Sequence, residues 1–307
     1  MKRQLVHLVI ISLLGLLAYS DTFNAPFQWD EYRIFEKEPS IIKDLSYFSH
    51  PSKAKALEFY HALRGRFIGY LTFALNYKIH GLDVTGYHIV NIAIHLINAL
   101  LVYFLVILTL KTPNLKESSL KEKSGYVALF SALIFVSHPV QTEAVTYIFQ
   151  RLASLTAFFC LLSLVLYITW RLRQDTAKEA FPFKGILFYF FTLLSLVFAM
   201  KTKENAFMLP AIIALYEFFF FKGAVKKRIL SLVPILLTML IIPLSLTGTE
   251  RPLGEAIGDI AKGHASIQRT DYLLTQFRVV ATYIRLILFP VGQNIDYDYP
   301  VYNSLLD

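Results

Sequence analysis

Charge is scarce in this 307-residue chain, and cysteine is almost absent. Asp, Glu, Lys and Arg make up 17% of residues against 55% apolar ones, and the mean hydropathy is +0.50. So little charge excludes a disordered, solvating chain and argues against a water-soluble globule. The single cysteine, Cys160, lies in an apolar run, which excludes an intramolecular disulfide framework and a cysteine metal cluster. No zinc or EF-hand spacing is present either, so no dedicated metal is expected. A net charge of +8 is also what a nucleic-acid-binding chain carries. The basic residues, however, cluster in short segments between apolar runs, where they report membrane orientation instead.

What the chain does have is apolar runs approaching the ~20 residues that cross about 30 Å of hydrocarbon. The expected fold class is all-α: a polytopic transmembrane helical bundle of about seven to eight spans, forming one domain over residues 1–307. Met1-Lys2-Arg3 precedes a first helix from Leu5 to Tyr19, and Ala18-Tyr19-Ser20 is also compatible with signal-peptide cleavage. Asp21 to about Gly86 is then a large extracytoplasmic loop carrying the adjacent carboxylates Asp30 and Glu31 and the basic cluster Arg64-Gly65-Arg66. Adjacent like charges near a membrane persist where a cation, a hydrogen-bond network or a reaction uses them, or where they simply sit in a solvated turn. Phe67 to Tyr77 is too short to span and reads as an interfacial helix, with Arg66 at headgroup level.

The second span, Tyr87 to Leu110, carries His88, Asn91, His95 and Asn98 on one helical face. In hydrocarbon such a stripe turns toward other helices. Asn91, His95 and Asn98 read as structural glue, whereas His88, nearest the outer surface, is the one expected to meet substrate. Tyr126 to Ser137 climbs back to His138-Pro139-Val140-Gln141-Thr142-Glu143, where proline should break the helix at His138. A broken end carrying His138, Gln141 and Glu143 is tolerated at membrane depth where it lines a wet cavity. For His138 alone, capping of neighbouring carbonyls is the alternative.

Further spans are expected at Leu152 to Trp170, Gly185 to Met200, Ala206 to Phe221 and Ile229 to Leu246, with a short charged turn at Lys201-Thr202-Lys203-Glu204-Asn205. Residues 247–307 form an outer-face region. Within it, Tyr272 to Pro290 carries Arg278 and Arg285 and reads as an interfacial or re-entrant helix, an eighth span being the alternative. Lys and Arg number 14 in the 38 residues of segments 1–3, 111–124, 171–184 and 222–228, against three in 138–151 and 201–205. That bias puts the former segments in the cytoplasm.

Several strings resemble the membrane domain of the transmembrane-and-tetratricopeptide-repeat glycosyltransferases, of the GT-C superfamily. They are Phe27-Gln-Trp-Asp-Glu, Gly86-Tyr-His-Ile-Val-Asn-Ile-Ala-Ile-His-Leu-Ile-Asn, His138-Pro-Val-Gln-Thr-Glu-Ala-Val, Lys203-Glu204 and Asp296-Tyr-Asp-Tyr-Pro. The resemblance spans nearly the whole chain. It implies an O-mannosyltransferase-like enzyme that transfers a sugar from a polyprenyl-phosphate donor to a protein or glycan hydroxyl. It also implies an extracytoplasmic active face, periplasmic in a bacterial inner membrane, contact with membrane lipid, and no cofactor beyond the donor. No tetratricopeptide array precedes the end at Asp307, so the chain is either a truncation or lacks that module. The acid pair is Asp-Glu where bacterial relatives often have Asp-Asp, which leaves the role of the second acid open.

On that reading Asp30 is the base that deprotonates the acceptor hydroxyl, and Arg66, Lys203, Arg278 and Arg285 are candidates to hold the departing phosphate. Glu31 or Glu143 would orient the acceptor or a cation. His88, His138, Gln141, Glu143 and Glu204 are the expected substrate contacts. A flippase or transporter of lipid-linked sugars would also want a polar cavity between broken helices, but the internal repeat common in transporters is absent from the sequence. A non-catalytic membrane scaffold is the remaining alternative.

Overall fold

The structure is a computed structural model that describes residues 2–29, 31–37, 39–57, 60–176, 183–246, 268–295 and 297–302. Asp30, the expected base, and Asp296 lie outside the described residues, as does much of the expected outer-face region 247–307.

No strand occurs among the described residues. The long helices are α1 (Lys2–Ala18), α2 (Phe67–His80), α3 (Val84–Thr109), α4 (Ser124–Ser137), α5 (Arg151–Thr176), α6 (Phe183–Met200), α7 (Leu209–Phe220), α8 (Val225–Leu237) and α9 (Arg269–Leu288). Among the described residues three stretches are long and apolar enough to cross a membrane: Val84–Thr109, Ile148–Gln174 and Val225–Ser245. Ser124–Ser137 and Pro139–Thr146 make a fourth if the pair, bent by 51°, is taken as one span. The expected count of seven to eight also includes shorter helices such as α1, α6 and α7. The chain is an α-helical membrane protein.

The helices pack in the order α1, α4, α3, α5, α6, with α7 and α8 beyond α6. Glycine permits one close approach: a Cβ at Gly15 of α1 would collide with Leu96 of α3 and Val136 of α4. Ile11, Ala99, Tyr103, Ala128 and Ala132 fill that first helix group, and Tyr167, Leu196, Ala199, Ile213 and Ile235 fill the group of α5 to α8.

The loop between α1 and α2 folds into short helical turns that bury Phe35, Ile41, Ile42 and Leu63 against Tyr70, Phe73, Ala74 and Tyr87. α2 therefore presents one face to this core while Leu75 and Ile79 stay exposed. The Ile68 N–H donates to the Lys201 carbonyl at 2.9 Å, tying the start of α2 to the turn after α6.

Candidate functional site

The end of α4 is shaped by one proline. Pro139 lacks an N–H, the helix stops at Ser137, and His138 adopts extended backbone with φ −69° and ψ 125°. His138 Nδ1 accepts the Val140 N–H at 3.2 Å, so Nε2 carries the proton and donates to the Ile287 carbonyl of α9 at 2.9 Å. Gln293, with its amide oriented to suit its neighbours, donates to the Pro139 carbonyl and accepts from the Val140 N–H. The broken helix is thus the dock on which α9 and the segment after it rest.

Between that dock and the loop after α1 lies an open cleft of about 280 Å³. Its walls come from Gln28 and Glu31 of the first loop, Thr142, Glu143 and Tyr147 past the break, Tyr283 of α9, and Asn294 and Tyr297 beyond it. Glu31 is 1% exposed. Its Oε2 accepts the Gln28 N–H and its Oε1 the Phe149 N–H, both at 2.8 Å. That carboxylate therefore clamps the first loop to the segment that enters α5. Trp29, inside the clamped turn, has φ +49°, a left-handed backbone that a bulky side chain rarely takes. Glu143, by contrast, is exposed, and its Oε1 accepts from Gln150 Nε2 at 3.0 Å.

Gln150 links the cleft to a second polar group. Lys203 Nζ reaches Gln150 Oε1 at 3.4 Å, and Arg66 forms a two-pronged ion pair with Glu204, Nη2 to Oε1 at 2.7 Å and Nε to Oε2 at 3.2 Å. Burial, then the neighbouring Arg66, holds the Lys203 ammonium below the usual lysine range. Burial and then Arg64 do the same to Lys201, whose Nζ donates to Ser245 Oγ. Burial opposes ionisation of Glu204, but the hydrogen bond and charge of Arg66 outweigh it and hold that carboxyl below its usual range.

The expected site residues therefore divide. Glu31, Glu143, Lys203, Glu204 and Arg66 stand around the cleft, with Gln150, which was not among the expected residues, joining Glu143 to Lys203. His88 is not among them: it is fully buried, with Nε2 2.9 Å from the carbonyl of Ala25, a residue of the cleft lining. His138 caps carbonyls and amides as described, and Gln141, half-buried, stands beside the break without lining the cleft. Arg278 and Arg285 are exposed and outside the cleft lining. Arg278 lies over the Tyr302 ring with 5.3 Å to its centroid, and Arg285 Nη1 donates to the Val291 carbonyl at 3.0 Å. The expected phosphate clamp on α9 is thus engaged with the tail of its own segment, because the helix turns its Thr275 and Leu286 face inward and leaves the arginines on the flank.

Sequence reasoning passed over Arg151. It is fully buried and donates from Nε to Asn91 Oδ1 at 2.6 Å, from Nη2 to Asn76 Oδ1 at 2.8 Å and to the Tyr87 carbonyl at 3.0 Å, while its Cζ lies 4.6 Å from the Phe73 ring centroid. Asn91 in turn donates to the Val145 and Ile148 carbonyls, holding the irregular segment between α4 and α5. His95 meets the Val136 carbonyl near the end of α4 and Asn98 the Ser154 carbonyl in the first turn of α5, so the polar stripe of α3 binds backbone groups of the helices packed against it. A lone arginine opening a long apolar run was the signal that could have marked this hub.

No protein-family model matches the chain, and no solved structure does. Curated relatives do. The protein O-mannosyl-transferase TMTC2 of Mus musculus is 26% identical over 235 residues, 72% of this chain and 25% of its own length. The Drosophila melanogaster protein O-mannosyl-transferase Tmtc3 is 29% identical over 157 residues, covering 48% and 17% of the two chains. Human protein O-mannosyl-transferase TMTC1 is 30% identical over 152 residues, covering 48% and 16%. The chain is a relative of the transmembrane-and-tetratricopeptide-repeat glycosyltransferases, as its sequence strings suggest. It spans 25% of the length of the TMTC2 relative it matches.

Proposed function

We propose that this chain is a membrane glycosyltransferase domain that transfers a hexosyl group, mannosyl by analogy with the relatives' names, from a polyprenyl-phosphate donor to a protein hydroxyl at the cleft. The carrying observation is the cleft itself: the Glu31 and Glu143 carboxylates in its lining, with the half-buried ammonium of Lys203 joined to Glu143 through Gln150. In the reaction a carboxylate removes the acceptor O–H proton, the oxygen forms a bond to the sugar's anomeric carbon, and the bond from that carbon to the phosphate oxygen breaks. The polyprenyl phosphate leaves with the electron pair, and cations neutralise it.

Asp30 is the base in this reading. Its chain neighbour Glu31 has both oxygens engaged by backbone N–H groups, which leaves it poorly suited to take a proton. Lys203, with Lys201 beside it, supplies positive charge to the departing phosphate. Arg66 contributes only as far as Glu204 releases it. The reaction runs on the extracytoplasmic side, the side favoured by the excess of Lys and Arg in the short segments at the opposite ends of the helices.

The test is Asp30→Asn in a cell that co-expresses an acceptor protein. Alkali-labile glycan on the acceptor should fall by about a hundredfold, the scale of a lost general base, while donor binding persists. Transfer within a few-fold of the unsubstituted chain would remove Asp30 from the mechanism. Glycan that never depends on the chain would favour a transporter or a scaffold.

A further inference from the structure

The described residues that line the cleft include two carboxylates, Glu31 and Glu143, and no lysine, arginine or histidine. The cations of this end, Arg66, Lys201 and Lys203, stand outside the lining. Low-dielectric walls bearing charge of one sign focus their field into the opening between them. Tyr147, Tyr283 and Tyr297 add amphipathic surface, which holds extended peptide at low entropic cost.

Building on the proposed function, we propose that this cleft receives the acceptor polypeptide rather than the donor phosphate, and that it selects hydroxyl-bearing segments flanked by Lys or Arg over segments flanked by Asp or Glu. A phosphate placed here would meet like charge on both walls. A peptide cation would meet Glu143, which is exposed and has an oxygen to spare beyond the single bond from Gln150. Glu143 then sets the preference, whereas Glu31 is held by its two N–H donors.

Two measurements on the full chain in detergent test this. Fluorescence anisotropy reads the binding of labelled Ser- or Thr-containing peptides that differ only in their flanks, Lys, Gly or Asp. Transfer from polyprenyl-phosphate mannose to the same peptides is read separately. The Lys-flanked peptide should bind at least about fivefold more tightly than the Asp-flanked one, the scale of a partly screened charge pair. That ratio should shrink as salt rises. Glu143→Gln should cut it by about half or more, whereas Glu122→Gln, exposed in the loop before α4, should leave it intact. Equal binding of the three peptides, no binding of any, or a ratio untouched by Glu143→Gln would overturn the inference. Charge-selective binding without transfer would leave the inference standing and count against the proposed function. Transfer without charge selection would do the reverse.

Discussion

The two ends of α5 carry charge in opposite ways. At its last turns, Glu217 of α7 is fully buried and fully engaged: Arg171 Nε and Nη2 each donate to it at 2.9 Å, Arg228 Nε at 3.1 Å and the Tyr167 hydroxyl at 2.9 Å. Roughly 30 Å away along the helix axis, at 1.5 Å per residue, Glu143 is exposed with a single hydrogen bond, from Gln150, and Lys203 reaches Gln150 only at 3.4 Å. Both groups join helix ends that would otherwise splay. The difference is saturation. A carboxylate whose lone pairs are all taken by guanidinium and phenol holds helices together and has no capacity for a ligand, whereas one with vacant lone pairs at a cleft gives up stabilisation and keeps capacity to bind.

If that contrast is right, the largest stability effect lies far from the cleft. Glu217→Ala strands Arg171 and Arg228 beside each other, both largely buried, and should cost about 3–5 kcal/mol. Glu143→Ala should cost less than about 1 kcal/mol. Thermal unfolding of the two variants in detergent compares them directly, and equal losses would erase the distinction.

A medium effect sharpens the cleft end. Burial and Arg66 lower the Lys203 pKa, so folding carries a penalty for its charged form below the lowered value, relieved as pH rises toward the unfolded range. For an anion bound at Lys203 the sign is reversed: affinity is full below the lowered pKa and declines as pH rises through it. The donor KM should therefore climb at a pH below the ordinary lysine value of about 10.4, and Lys203→Arg should move that climb to higher pH. A donor KM that stays flat until ordinary lysines titrate would detach Lys203 from the phosphate. The Glu204 carboxyl has the opposite linkage, because its lowered pKa contributes stability above the ordinary carboxylate range that is lost as pH falls through the lowered value.

The smallest effect belongs to α9. Arg285 is spent on the Val291 carbonyl, so Arg285→Lys, which keeps a donor and a charge, should leave the donor KM within about twofold. A tenfold rise would return Arg285 to the phosphate site.

The sequence by itself determined the elements. Apolar runs of span length, the proline after His138 and the three-and-four spacing of the α3 stripe are local or periodic signals, and each corresponds to a helix, a break or a buried face. Its strings also carried the family likeness. Only the tertiary structure decided which polar groups remain free. His88, Arg278 and Arg285 looked available in one dimension, yet His88 meets a carbonyl of the first loop, and the two arginines meet a ring and a carbonyl of the tail that folds back on α9. Arg151 and Glu217, single charges in apolar runs, look alike as text. One is met by amides and carbonyls and the other by two guanidinium groups, because pairing depends on helix packing across dozens of residues of chain. A side chain's chemistry is written at its own position, whereas whether that chemistry is used up depends on partners supplied from elsewhere in the fold.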